Sequence, residues 1–127
     1  MKICLIAGNM DWSSEGGTQT YFTYLARLLA RRHEVTVLTQ EPPPTGLRLD
    51  YEVVAPAAPA PYVGGAAEIL FPLVHSYTHS RWIAESLRGR RFDLIETADW
   101  GYWTSLLRPL LSEFDVALGR TTLLVEE

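Results

Sequence analysis

The sequence predicts an α/β protein, an open sheet of parallel strands with helices on both faces, and three observations carry that prediction. Ile3-Cys4-Leu5-Ile6-Ala7 is apolar without a break, which suits a parallel strand buried on both faces better than an alternating, half-wet one. After Gly8 and a polar loop ending in Gly16-Gly17, the segment from Thr18 to Arg32 has helical spacing. His33-Glu34-Val35-Thr36-Val37-Leu38-Thr39 then supplies a β-branched second strand. Strand, helix and strand in that order form a right-handed βαβ unit. Its first loop lies at the carboxyl end of the first strand, the edge on which open α/β sheets bind their ligands.

Each element has a local reason. In the first helix, Tyr21, Phe22, Leu25, Leu28 and Leu29 are expected to form one apolar face against the sheet. Arg27, Arg31 and Arg32 sit near its C-terminal end, where positive charge complements the helix dipole. Glu41-Pro42-Pro43-Pro44-Thr45-Gly46 cannot continue a ladder and reads as a loop. Leu47, Leu49, Tyr51 and Val53 alternate with polar residues, the period of a half-exposed third strand at or near a sheet edge. Ala55 to Gly65, rich in proline and glycine, is an irregular crossing loop. A helical tendency starts at Ala66, is broken or restarted by Pro72, and continues through Leu73, Val74, Tyr77, Trp82, Ile83 and Leu87 to about Arg88, with Gly89 closing it. Phe92-Asp93-Leu94-Ile95-Glu96 is the next parallel strand, followed by a helix from about Trp100 to Leu111 with Pro109 late in it. Thr121 to Val125 is then a fifth strand, with Phe114 to Leu118 as a competing candidate.

Composition bounds the function. A chain of 127 residues, 47% hydrophobic, is one globular domain with an ordinary core. The net charge of −4 argues against a nucleic-acid partner. Two basic clusters, Arg27, Arg31 and Arg32 and then Arg88, Arg90 and Arg91, read as solvated helix ends, which leaves at most a peripheral membrane contact. Cys4, the single cysteine, sits in the first strand as a small hydrophobe, so neither a disulfide nor a cysteine metal site is expected within the chain. The opening apolar run is too short for a signal-peptide core, no run has transmembrane length, and the cytoplasm is the expected location.

Chemistry enters at three places. Gly16 and Gly17 lack a Cβ, so their backbone amides can approach a ligand, and the following helix N-terminus favours an anion such as a phosphate. The alternative is a tight turn into the helix and nothing more. No Gly-x-Gly-x-x-Gly fingerprint and no Gly-Lys-Ser/Thr phosphate loop is present, which disfavours a nicotinamide- or flavin-dependent enzyme. His75 and His79 share a helical face at metal-ligand spacing, yet no His-Glu-x-x-His pattern supports a metal, and a structural or acceptor-contacting role is favoured. The third place is Glu96 and the loop after it, Thr97-Ala98-Asp99-Trp100-Gly101-Tyr102-Trp103. Carboxylates fix sugar hydroxyls and aromatic faces stack on a pyranose ring, so Glu96, Asp99 and Trp100 form a candidate acceptor surface. Asp99 capping the next helix while Trp103 packs into the core is the alternative, and the two are compatible.

Met1-Lys2-Ile3, the loop ending Gly16-Gly17, Tyr24-Leu25-Ala26-Arg27-Leu28-Leu29 and Arg32 to Thr39 together resemble the start of family 4 glycosyltransferases, and the likeness resumes at Phe92-Asp93-Leu94-Ile95-Glu96. The resemblance implies a Rossmann-like N-terminal, acceptor-side domain over residues 1–127 of a retaining GT-B enzyme. Such an enzyme moves a sugar from a nucleotide-sugar donor to an acceptor hydroxyl. It implies that Gly16, Gly17 and Thr18 lie against the donor diphosphate or the acceptor, that Asp11 and Glu15 are candidates for acceptor hydroxyls, and that no bound metal or other cofactor is required. Asp11 and Glu15 read equally well as solvated loop charges. The family pattern places a histidine near the transfer site in a later loop, and this chain has none after His79. Nothing in it corresponds to the family's C-terminal donor-binding domain. The expectation is therefore a fragment of a longer enzyme, or a truncated copy inactive alone, because half a cleft cannot assemble a near-attack arrangement. The rival reading is a non-catalytic α/β module that binds a sugar, a nucleotide or a protein partner.

Overall fold

The computed structural model describes residues 1–8, 10, 12, 18–57, 59, 67–98, 106–119 and 123–126, with the backbone alone for 18–19, 67–72, 98 and 123–126. In chain order the elements are β1 (Lys2–Gly8), α1 (Thr18–Ala30), β2 (Glu34–Thr39), β3 (Glu52–Val54), α2 (Ala67–Ser86), β4 (Arg91–Phe92), β5 (Leu94–Ala98), α3 (Leu107–Glu113), β6 (Ala117–Leu118) and β7 (Leu123–Glu126). Five strands form one parallel sheet in the order β3-β2-β1-β5-β7, and β4 and β6 pair in parallel as a small second sheet. β1 is central, as its unbroken apolar run requires. Ile3, Leu5 and Ala7 pack with Phe22 and Ala26 of α1 and Val35 and Val37 of β2, while Cys4 and Ile6 pack on the other face with Ile83 and Leu87 of α2 and Leu107 and Leu111 of α3. The chain is therefore α/β and Rossmann-like, with helices on both faces.

Four expectations need correction in detail. On α1 the buried stripe is Phe22, Thr23 and Ala26, with Leu25 and Leu29 half-buried, whereas Tyr21 and Leu28 are exposed. Its apolar residues cover more than half the circumference, and spacing alone did not choose which arc meets the sheet. β3 does occupy a sheet edge but is only three residues long, and the chain ahead of it, from Pro44 to Leu47, is a turn closed by Leu47 N–H to Pro44 carbonyl at 3.2 Å. α2 runs unbroken through Pro72, which falls in its second turn, so the backbone bond a proline removes is one to the helix's first residues. Pro109 lies in the first turn of α3 rather than late in a helix, where its missing N–H would have had no partner anyway.

The other differences are additions. The expected strand at residues 92–96 is two, divided at Asp93, whose backbone N–H donates to the Lys2 carbonyl at 2.7 Å while its carboxylate accepts from the Lys2 N–H at 2.8 Å. Both candidate strands near the end form: β7 extends the main sheet beside β5, and β6 pairs with β4. Gly89, at φ +71°, ends the turn after α2 as expected. Arg88 and Arg90 are more engaged than solvated ends. Arg90 makes a bidentate pair with Glu52 at 2.7 and 3.0 Å, and the Arg88 guanidinium lies 4.7 Å from the Phe114 ring centre.

Cys4 is fully buried between the sheet and α2, and burial pushes its thiol up to about 12. A thiolate reagent is therefore expected to leave the native protein unlabelled at pH 8 and to modify one thiol after urea unfolding. Rapid labelling of the folded chain would show that β1 is not the covered central strand described.

Candidate functional site

The C-terminal rim of the sheet is built by small local devices. β1 ends at Gly8, where φ of +55° and a register shift between Ile6 and Gly8 turn the chain off the ladder. The Thr39 hydroxyl donates to the Gly8 carbonyl at 3.2 Å and the Gln40 N–H donates to the same oxygen at 2.7 Å, so β2 holds the point where the loop leaves β1. Thr39 and Thr97, both buried, give this end of a largely apolar sheet a polar lining. The loop delivers the chain to α1, whose first residue is Thr18, as expected. The first amides of any helix have no intrahelical acceptor and carry the positive end of its dipole, so this rim presents donors.

Below that rim, at the middle of β5, stands the buried acid Glu96. It sits on β5 opposite Leu5 of β1 and Leu124 of β7, and is only 7% exposed. The Tyr21 hydroxyl, from the first turn of α1, donates to its Oε1 at 2.9 Å. A buried carboxylate so held keeps one orientation, and the hydroxyl that holds it lies three residues past Thr18 in the chain. Tyr21 was missed by the sequence reading, which assigned it to the core. Its separation from Glu96 by 75 positions leaves no local signal. Trp12, on the way from β1 to α1, packs against the α1-side core and leaves its indole N–H without an acceptor among the described residues.

Of the predicted site residues, the structure thus places Glu96 beside the helix that Thr18 opens. Asp11, Glu15, Gly16, Gly17, Asp99 and Trp100 lie outside the described residues. The expected start of the helix at Trp100 and its Asp99 cap fall in the same range. α3 begins at Leu107 with Leu106 before it, which supplies no side-chain cap.

The histidine pair belongs to the scaffold. His79 Nδ1 lies 3.0 Å from the His75 carbonyl oxygen, the rings are 4.1 Å apart, and burial lowers the His79 pKa. No group of three or more metal-ligating residues occurs among the described residues. Nor is any described helix long and apolar enough to cross a membrane.

Chemically, the contact between β5 and the first turn of α1 joins a fixed carboxylate, which accepts hydroxyl hydrogen bonds, to the end of a helix that attracts anions. Comparison with known families finds that residues 16–118 match the model of the glycosyl transferase 4-like domain. No curated protein and no solved structure matches the chain.

Proposed function

The chain belongs to the glycosyl transferase 4-like domain family, and on that premise we propose that it is the acceptor-side half of a retaining enzyme that moves a sugar from a nucleotide-sugar donor to an acceptor hydroxyl. A glycosyltransferase-type function follows from the family. The finer reading is supported by one observation above all, the pairing of buried Glu96 with Tyr21 where α1 begins. Glu96 accepts a hydrogen bond from an acceptor hydroxyl and fixes its position. Gly16, Gly17 and the amide of Thr18 hold the donor diphosphate and stabilise the negative charge that develops as the nucleotide leaves. Asp11, Glu15, Asp99 and Trp100 complete the acceptor surface. A second, donor-binding domain supplies the rest of the cleft, and no metal takes part.

The test is a transfer assay on the full-length enzyme with labelled UDP-, GDP- and ADP-sugars, the anomeric configuration of the product being read from its proton coupling constant. The expected result is transfer from one of these donors with retention, and a lower kcat for Glu96→Gln at unchanged thermal stability. An inverted product, or a Glu96→Gln enzyme as fast as wild type, overturns the assignment. Binding of sugar or nucleotide with no transfer from any donor supports the non-catalytic module instead.

A further inference from the structure

We propose that Tyr21 is a positioning residue for sugar transfer, whose hydroxyl aims the Glu96 carboxylate and ties it to the helix that opens at Thr18. The inference rests on the role proposed above for Glu96. A glutamate is poorly suited to fix a substrate hydroxyl without help, because its last torsion joins a tetrahedral carbon to a planar one and lets the carboxylate turn. Its row of the sheet gives no such help. Glu96 stands there between Leu5 of β1 and Leu124 of β7, and leucine side chains donate no hydrogen bond.

The orienting bond comes from the helix layer instead, where Tyr21 Oη donates to Glu96 Oε1 at 2.9 Å. A hydroxyl bonded to a carboxylate is held more strongly than one bonded to a neutral acceptor. The tyrosine is itself anchored. Its ring meets the Phe22 ring edge-on, with centroids 5.3 Å apart and planes at 77°, and Phe22 is only 1% exposed in the α1-side core. Fixed contacts therefore run from the core, through Tyr21, to the carboxylate. That bond takes one of roughly four lone-pair positions on the two carboxylate oxygens, so it does not exhaust their capacity to accept a substrate hydroxyl. Because Tyr21 lies in the first turn of α1, the group that holds the acceptor and the helix end that attracts phosphate belong to one rigid frame. Transfer requires such a frame, since reacting groups must be held within about 0.5 Å of productive geometry.

The experiment is a double-mutant cycle on the full-length enzyme, run with whichever of the UDP-, GDP- and ADP-sugars supports transfer. Tyr21→Phe deletes the hydroxyl and keeps the ring against Phe22. Its kcat is expected to fall roughly ten- to a hundred-fold with the KM for the donor unchanged. Tyr21→Phe/Glu96→Gln should be no slower than Glu96→Gln alone, because the hydroxyl acts through the carboxylate; a merely structural contribution would multiply the two losses. Tyr24→Phe removes an exposed hydroxyl from the same helix and should turn over as wild type. Thermal melting confirms that each variant is folded. A Tyr21→Phe enzyme as fast as wild type, beside a slowed Glu96→Gln enzyme, overturns the proposal and leaves the role of Glu96 standing. Losses that multiply in the double variant overturn it as well. A Glu96→Gln enzyme as fast as wild type removes the underlying assignment, and the proposal with it.

Discussion

A Gly17→Val enzyme is expected to transfer sugar about 10²- to 10³-fold more slowly than wild type while unfolding at the same temperature. The argument begins with the missing Cβ. If the amides before Thr18 approach a diphosphate, a branched side chain there holds the ligand off by more than a hydrogen bond tolerates. What is lost is stabilisation of charge developing on the departing nucleotide, so kcat falls further than KM rises. The fold should be indifferent, because α1 is held by Phe22 and Ala26 against β1 and β2. Steady-state kinetics with a thermal melt on the same preparation separate the two effects. Undiminished kcat would remove the glycine pair from the transfer site.

Phe22→Ala should cost about 3–5 kcal/mol of folding stability, much of the total of roughly 5–15 kcal/mol a domain has to lose. Phe22 is 1% exposed and packs among Ile3, Leu5, Val35 and Val37 on the α1 face of the sheet. Removing its ring forfeits the burial energy and leaves a cavity that the strands cannot collapse to fill. Leu28→Ala, six positions on and on the opposite ridge, should fall within about 0.5 kcal/mol of wild type. Urea unfolding midpoints of the two variants decide the matter. Equal losses would mean that α1 does not pack with the rotation described.

That contrast bears on how much of this protein was legible before its structure. By residue pattern, Phe22 and Leu28 belong to one apolar set. Only the sheet distinguishes them, because α1 has apolar residues around more than half its circumference. Pro72 misled in the opposite direction. A proline argues for a break, but α2 runs through this one at the cost of a single bond, to the carbonyl four residues back. Tyr21 carried no local signal of its role, since its partner Glu96 comes from a strand that joins the sheet much later in the chain.

By itself the sequence determined the architecture: a both-faces-buried first strand, the helix that follows it, a parallel β2, an edge β3 and the βα alternation that lays strands side by side. These depend on periodicity and on turn residues, which act over a few positions. It also placed an acid, Glu96, on the strand that became β5. The tertiary structure decided the rotation of α1, the division of the strand at Asp93, the pairing of Glu52 with Arg90 and the grip of Tyr21 on Glu96. Each of those joins residues far apart in the chain, and which side chains meet there is settled by how helices and sheet pack, a competition among many near-equivalent apolar contacts that no local pattern records.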